Sequence, residues 1–282
     1  MKNANLVSRA GWPVAVGLLF FLAACGRNSG GKDGSVPPSP AVADAGAAAK
    51  PAYYSYEVVK TWPHDRAAYT QGLLVHGGSF LESTGLNGQS SLREVDIKTG
   101  RVLKQLSLPA EFFGEGLAVL NGRAFQLTWR NHRGFVYNAD TFRREGEFTY
   151  EGEGWGLTTD GRELIMSDGT NRIRFLDPTT FKTTRTIDVL SEGKPVERLN
   201  ELEWIKGEIF ANVWLTNRVV RIDPVTGRVL GEIDFVGLLA ASERRPDTEM
   251  LNGIAYDAAA DRLFITGKRW PAIFEVKLKV RP

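Results

Sequence analysis

Five weakly similar segments follow one another from Thr70 to Lys279, and this internal repetition constrains the fold more than any other feature of the chain. Each segment opens with an apolar residue that serves as an alignment anchor. The anchors are Leu73, Leu117, Leu157, Leu202 and Ile254, and their spacings are 44, 40, 45 and 52 residues. Periods of this length are typical of proteins that build one supersecondary unit per repeat and pack the units side by side.

The segments share one internal order of short strands and turns. An apolar strand comes first, followed by a polar turn such as NGR or TDGR, a second strand such as AFQLTW, a third such as RIRFL and an outer strand such as GRVLGEIDF. Strands of about five to seven residues at this period predict an all-β, five-bladed β-propeller with four-stranded blades. No helical periodicity separates the strands, which argues against a parallel α/β sheet, and a pair of β-sandwiches is the alternative.

The fifth segment is too short to supply a fourth strand. The sequence YYSYEVVKTW, residues 53–62, lies before the first repeat and has the pattern of a spare strand. Pairing of this segment with the fifth blade would close the ring and cover an open sheet edge. We therefore expect an N-terminal strand to complete the propeller.

The first 24 residues have the pattern of a secretion signal. A short basic region is followed by an apolar run of 11 residues, Val14 to Ala24, which is too short to span a bilayer as a helix. The tetrapeptide Leu22-Ala23-Ala24-Cys25 resembles the lipobox of bacterial lipoproteins. It predicts a lipid-anchored, exported protein that faces the periplasm or the cell surface. An ordinary signal peptide with a chance cysteine is the alternative.

Residues 25–51 are predicted to form the lipidated cysteine and a disordered tether rich in Gly, Pro and Ala, so the catalytic domain spans residues 52–282. Removal of Lys2 and Arg9 with the signal leaves 33 basic and 33 acidic residues out of 35 and 33. This balance argues against nucleic-acid binding. Lipidation of the only cysteine leaves no thiol, and the three histidines have no metal-ligand spacing, so we expect no metal and no cofactor.

Equivalent positions of the repeats should meet at one mouth of the central channel. The residues two positions before the anchors are Gln71, Glu115, Trp155, Asn200 and Asn252, and those at the ends of the second strands are Trp129, Asp168, Trp214 and Lys268. Together they predict an indole-walled pocket with one carboxylate, Glu115, and one ammonium, Lys268. Asp168 in SDGT is either a site residue or the acceptor of an Asp-Gly turn. Glu203 is interpreted as an ordinary strand residue.

Several motifs, in order, resemble those of the plant and bacterial glutaminyl-peptide cyclotransferases. They are YTQGL, LESTGLNGQSSLR, FGEGL, GWGLTTDG, SDGT, LNELEWIKGEIFANVW, LNGIAYD and ITGKRWP, and the resemblance runs from about Tyr53 to Leu278. It implies a five-bladed propeller that converts N-terminal glutamine of peptides or proteins to pyroglutamate and releases ammonia. It also implies that Glu115 is the catalytic acid and base. The other implied site residues are Gln71, Trp129, Trp155, Asn200, Trp214 and Lys268, with Tyr69 in place of the phenylalanine of FTQGL.

The expected chemistry is cyclisation without a metal, and we expect the enzyme to be a monomer. Glu115 would move a proton from the attacking amine to the leaving nitrogen, and either Lys268 or an indole N–H would stabilise the oxyanion. Two alternatives stay open. One is a non-catalytic propeller that binds a cell-envelope ligand or partner, and the other is a lactonase-like hydrolase with acidic residues around calcium.

Overall fold

The computed structural model describes residues 50–281. The predictions for the signal peptide, the lipidated Cys25 and nearly all of the tether therefore lie outside the described residues. No helix in residues 50–281 is long and apolar enough to cross a membrane. The described chain is all-β except for one short 3₁₀ turn, Ala241–Glu243.

The strands follow the predicted order and form mainly four-stranded antiparallel units. The chain enters through β1 (Ala52–Pro63). The first sheet contains β2 (Thr70–His76), β3 (Ser79–Thr84), β4 (Ser91–Val95) and β5 (Val102–Ser107). The second contains β6 (Gly114–Leu120), β7 (Arg123–Thr128), β8 (Arg133–Asn138) and β9 (Arg144–Thr149). The third contains β10 (Leu157–Thr159), β11 (Leu164–Ser167), β12 (Arg172–Leu176) and β13 (Thr183–Asp188).

The remaining strands form a small hairpin and one larger sheet. The hairpin is β14 (Leu190–Ser191) with β15 (Lys194–Pro195). The larger sheet contains a fourth unit, β16 (Leu199–Ile205), β17 (Glu208–Val213), β18 (Arg218–Ile222) and β19 (Val229–Asp234). It also contains a fifth unit, β20 (Leu251–Asp257), β21 (Arg262–Gly267) and β22 (Ala272–Val280).

The N-terminal strand β1 completes the fifth unit, as the sequence predicted. It pairs antiparallel with β22 along most of its length, from Tyr54 opposite Val280 to Pro63 opposite Ala272. Its first residues, Ala52–Tyr54, also pair parallel with β19, which joins the fourth and fifth units into one eight-stranded sheet. The strand therefore covers two sheet edges at once.

The units contact one another in a closed cycle. The first strand of each unit contacts the first strand of the next in the order β2, β6, β10, β16 and β20, and β20 contacts β2. Buried apolar side chains form five clusters, each shared by two adjacent units, and the last of these joins the fifth unit to the first through residues such as Phe264 and Phe80. The hydrophobic core therefore lies between the sheets rather than on the central axis.

A β-bulge recurs near the start of the inner strands. The register shifts at Thr70/Gly72, Gly114/Leu117, Leu199/Leu202 and Leu251/Ile254. In the third unit Gly156 lies at the equivalent place, where its carbonyl accepts the Ser167 N–H at 3.1 Å. A bulge leaves one residue outside the ladder and redirects its side chain, which here is the predicted mouth residue.

Glycine follows the mouth residue in four of the five units because neighbouring strands approach closely there. A Cβ on Gly116 would lie 2.4 Å from the Leu157 nitrogen, and one on Gly156 would lie 2.0 Å from the Asn200 carbonyl oxygen. The fourth unit has Glu201 at this place. Its carboxylate oxygens accept backbone N–H groups of Leu73 at 3.3 Å and Ile254 at 2.9 Å. Glu201 therefore connects the inner strands of three units.

Glu203 has a related structural role that its sequence context did not indicate. Its Oε1 accepts the Tyr256 N–H at 2.9 Å, which connects β16 to β20. Burial raises the pKa of the Glu203 carboxyl to about 8, against the lowering effect of hydrogen bonds from Tyr256, Thr158 and Trp204. The folded state therefore holds a proton on Glu203 that the unfolded chain releases near pH 4.5.

This difference in pKa predicts the sign of a pH effect on stability. Because the folded carboxyl binds its proton more tightly, the free energy of unfolding of the wild type falls as the pH rises from about 4.5 to about 8. The amide side chain of Glu203→Gln resembles the protonated carboxyl, so this variant should not lose stability through this group as the pH rises. Between pH 5 and pH 8 the stability of the variant relative to wild type should rise by roughly 2 to 4 kcal/mol, measured by urea unfolding. Equal slopes for the two proteins would contradict the assignment.

Candidate active site

A cavity of about 190 Å³ lies at the end of the channel where the bulges occur. Its lining residues are Tyr69, Gln71, Phe113, Glu115, Trp129, Trp155, Asn200, Trp214 and Lys268. Eight of these nine come from the sequence-predicted set, and Phe113 is the addition. The structure therefore brings together the carboxylate, the ammonium and all three predicted indoles.

A second cavity, of about 450 Å³, lies between the fourth and fifth units but has a different character. Four of its five charged groups, all except Lys277, are already paired with each other. Arg221 binds Glu208 through two hydrogen bonds of 2.7 and 2.8 Å, and Lys206 binds Asp261 at 2.8 Å. The smaller cavity, with charged groups that face its interior, is therefore the candidate active site.

Two repeated structural positions create the site. One is the bulge, which supplies Gln71, Glu115, Trp155 and Asn200. The other is the residue directly after the second strand of a unit, which supplies Trp129 after β7, Trp214 after β17 and Lys268 after β21.

Two predicted residues do not line the cavity. Asn252 is fully buried behind Gln71, where its Nδ2 donates to Gln71 Oε1 at 3.2 Å and to the Thr70 carbonyl at 2.9 Å. Asn252 thus holds a cavity residue in place instead of facing a ligand. Asp168 accepts the Thr170 N–H at 3.1 Å and the Thr170 hydroxyl at 2.6 Å, as a turn residue does.

Glu115 is buried in the cavity wall with an exposed fraction of 4%. Its Oε1 accepts a hydrogen bond from Gln71 Nε2 at 2.8 Å. Burial raises the pKa of this carboxyl well above 4.5, the Lys268 ammonium opposes that shift, and the charge of Glu153 adds to it. A carboxylate with a raised pKa is a stronger base, which suits it to proton transfer.

Lys268 provides the cation of the cavity. It is 3% exposed, and its Nζ lies 4.9 Å from the centroid of the Tyr69 ring. Burial lowers the pKa of the ammonium, whereas Glu115 and Glu249 raise it. Among the described residues Nζ makes no hydrogen bond, and it lies in the cavity lining over the Tyr69 ring.

Aromatic side chains form the rest of the wall through edge contacts. The rings of Trp155 and Trp214 are 5.4 Å apart at 86°, and those of Phe113 and Trp129 are 5.6 Å apart at 61°. Tyr69 meets Phe113 at 6.0 Å and 89°. Such contacts hold aromatic rings in fixed relative orientations.

Two indole N–H groups are already engaged outside the cavity. Trp129 Nε1 and Trp155 Nε1 both donate to the carboxylate of Glu153, at 2.7 and 2.9 Å. Lys268 thus remains available as a donor to an oxyanion, whereas the N–H groups of Trp129 and Trp155 do not. Among the described residues the Trp214 N–H has no such partner.

Sequence reasoning missed three residues of the site. Phe113 precedes the bulge, Glu153 lies in a loop, and Glu249 accepts the Tyr69 hydroxyl hydrogen bond at 2.6 Å from a loop between the fourth and fifth units. Phe113 and Glu153 each stand two residues before a mouth residue, the place that Tyr69 has in the first unit, whereas Glu249 lies in the long loop between β19 and β20. The GEGWGL sequence, in which Glu153 stands two residues before Trp155, was the available signal.

Asn200 offers a second polar group to a ligand. It is 2% exposed, and its Oδ1 has no hydrogen-bond partner in the described part of the chain.

The histidines are used in separate contacts. His64 bonds Glu82 and the Trp270 carbonyl, His76 bonds Asp140, and His132 bonds the Gly152 carbonyl. No group of three or more His, Cys, Asp or Glu side chains within residues 50–281 is arranged to hold a metal ion. Catalysis without a metal or a cofactor stays a prediction.

Comparisons with known proteins agree on one family. The sequence model of the family described as Glutamine cyclotransferase matches residues 36–278. A glutaminyl-peptide cyclotransferase of Arabidopsis thaliana is 44% identical over 229 residues, which cover 79% of this chain and 71% of the relative. The crystal structure of Myxococcus xanthus glutaminyl cyclase superposes with a TM-score of 0.77 at 37% identity, over 83% of this chain and 100% of that one. This chain belongs to the glutamine cyclotransferase family.

Proposed function

We propose that this protein is a glutaminyl-peptide cyclotransferase that converts the N-terminal glutamine of peptides or proteins to pyroglutamate and releases ammonia. The observation that supports this proposal most strongly is that Glu115 and Lys268, both buried, line one small cavity with aromatic walls. The names and similarity of the two relatives support the same activity. A cavity of this size suits one terminal residue better than a longer peptide segment.

The architecture that we infer is a five-bladed propeller. The closed cycle of inner strands supports this inference, and so do the five core clusters and the pairing of β1 with the fifth unit. In such a ring the mouth residues of all blades converge on one axis.

Cyclisation requires the α-amine to attack the side-chain carboxamide of the same residue. An α-amine has a pKa of about 7.7 to 8.0, so a useful fraction is neutral at pH 7. The greater difficulty is to fold the flexible side chain back onto the amine and to expel ammonia. The aromatic walls would hold the folded conformer, which makes the attack effectively unimolecular.

Glu115 then transfers the proton. As the amine nitrogen bonds to the carboxamide carbon, the ionised carboxylate accepts the amine proton and delivers it to the leaving nitrogen. The carbon–nitrogen bond of the carboxamide breaks, ammonia leaves, and the five-membered lactam remains. The Lys268 ammonium stabilises the negative charge that develops on the carboxamide oxygen.

Asn200 and Gln71 have supporting roles in this scheme. Asn200 lines the cavity, and its side-chain amide would contact the substrate amine or carboxamide. Gln71, held from behind by Asn252, donates to Glu115 and so stabilises the ionised carboxylate.

The function is tested by ammonia release from the purified full-length protein in detergent. A Gln-initiated peptide should lose the mass of ammonia and release it, with or without a strong chelator. An otherwise identical Asn-initiated peptide should not react. No release from the folded protein would reject the activity and favour a binding propeller, and chelator-sensitive release would reject metal independence.

Glu115→Gln tests the proton-transfer role. The variant retains the volume and can still accept the Gln71 hydrogen bond, but it has no basic carboxylate. We expect kcat to fall by about 10² to 10⁴-fold while KM changes by no more than a few-fold. The matched control is Glu151→Gln, at an exposed carboxylate, which should leave both constants unchanged. An unchanged kcat in Glu115→Gln would remove Glu115 from the mechanism.

We also propose, from residues 1–25 alone, that the protein is exported and anchored to a membrane by lipid on Cys25. Separately, we propose that it acts as a monomer. The wild type should incorporate labelled fatty acid in cells, and Cys25→Ser should not, because no thiol remains to carry lipid. Equal labelling of the two proteins, or no labelling of the wild type, would contradict lipid anchoring.

A further inference from the structure

Glu153 lies outside the cavity yet contacts two of its walls. It belongs to the loop between β9 and β10, and its side chain is 34% exposed. Its Oε2 accepts the indole N–H of Trp129 at 2.7 Å and that of Trp155 at 2.9 Å. Trp129 follows a strand of the second unit and Trp155 begins the third. One carboxylate oxygen therefore links two walls that belong to different sheets.

The second oxygen of Glu153 is held by Arg130. The Arg130 Nε donates to Oε1 at 2.9 Å, and its guanidinium carbon lies 3.8 Å from the Trp129 ring centroid. Arg130 thus stacks on the Trp129 indole while its guanidinium forms an ion pair with Glu153. The Trp129 ring is held both through its N–H group and across one face.

The backbone around Glu153 is fixed as well. Arg174 donates to the carbonyls of Glu151 and Glu153, the latter at 3.4 Å, and the Gly154 N–H donates to the Trp129 carbonyl at 3.0 Å. Partial burial raises the pKa of the Glu153 carboxyl, but the hydrogen bonds from Trp155, Arg130 and Trp129 outweigh it, and the net shift is downward. The acceptor is therefore ionised at neutral pH.

We propose that Glu153 is a positioning residue for cyclisation: it fixes the Trp129 and Trp155 rings so that their apolar surfaces, and not their N–H groups, face the folded glutamine. This inference rests on the proposed function. A hydrogen bond to a charged acceptor is stronger than one to a neutral acceptor, and two of them resist rotation of both rings. Rigid walls reduce the entropy lost when the substrate folds back on itself.

The charge of Glu153 has a second consequence. It adds to the rise in the pKa of Glu115 that burial causes. The residue that orients the walls therefore also favours a more basic catalytic carboxylate. Neither effect requires Glu153 to touch the substrate.

Three single substitutions near one another in the structure or sequence test this proposal. Glu153→Gln keeps the volume but has one acceptor oxygen in place of two, and its NH₂ group would face an indole N–H or Arg130. Arg130→Gln removes the stacking cation from an exposed position, so it tests the same network with little risk to folding. Glu151→Gln, two residues before Glu153, is the control.

Kinetics with a Gln-initiated peptide should separate positioning from chemistry. We expect Glu153→Gln to raise KM by about tenfold or more and to lower kcat by a smaller factor, because the wall that holds the folded substrate is loosened. Arg130→Gln should raise KM by about two- to fivefold. Glu151→Gln should match the wild type.

Indole ¹⁵N–¹H spectra test the contact itself, independently of turnover. The Trp129 and Trp155 resonances, assigned with single Trp→Phe variants, should lie downfield in the wild type and move upfield in Glu153→Gln. They should be unchanged in Glu151→Gln. If the wild type does not release ammonia, the proposed function fails, and the positioning role in cyclisation fails with it even where these shifts are found.

Two results with an active wild type would overturn the proposal. One is that both indole resonances are the same in wild type and Glu153→Gln. The other is that the resonances move while KM stays within twofold, since the carboxylate would then orient rings that the substrate does not need. If Glu153→Gln does not fold, an unchanged KM in Arg130→Gln would also count against it.

Discussion

The close approach of the inner strands around the axis is the constraint on which the rest of the structure depends. At Gly116 and Gly156 the next strand leaves no room for a Cβ. The bulge that accompanies these glycines displaces the preceding residue from the ladder, so that Glu115 and Trp155 point into the mouth. Packing at the axis and construction of the site are therefore two results of one backbone feature, repeated in each unit.

The same close packing also shifts the pKa values of the charged groups in the site. Water is excluded where strands meet closely, and a carboxylate and an ammonium at such a place each lose hydration. Burial raises the pKa of Glu115 and lowers that of Lys268, which brings the two proton affinities closer together. Each charge opposes the other's shift, and the raised pKa makes the ionised carboxylate a stronger base than one in water.

The fourth unit shows how a repeat can depart from its pattern for a structural reason. Glu201 replaces the usual glycine, and its carboxylate accepts N–H groups from two other units. Burial and the nearby charge of Glu203 raise the pKa of Glu201, while these hydrogen bonds lower it. Glu201 thus satisfies backbone N–H groups of the first and fifth units from the fourth.

The sequence predicted the structure best at positions that are equivalent from one repeat to the next. Aligned anchors predicted the order of strands, the partner of β1 and the cavity residues, because equivalent positions in a closed cycle must face the same axis. Glu249 could not be found in this way, since the long loop between β19 and β20 has no counterpart of its length in the other units. Glu153 stands at the position that Tyr69 and Phe113 occupy in their repeats, but it supports the cavity from outside instead of lining it. The difference between lining the cavity and supporting it, as Asn252 does, depends on side-chain direction within a bulge, which spacing does not encode.

The most direct test of the account is the ionisation of Glu115 in the full-length protein. An infrared difference spectrum between wild type and Glu115→Gln, recorded across pH, isolates the C=O band of this one protonated carboxyl. The account predicts that the band persists well above pH 4.5, the ordinary midpoint for glutamate, because the carboxyl is desolvated. A band that is half lost at or below pH 4.5 would mean that Glu115 is solvated and would contradict the proposed basis of its reactivity.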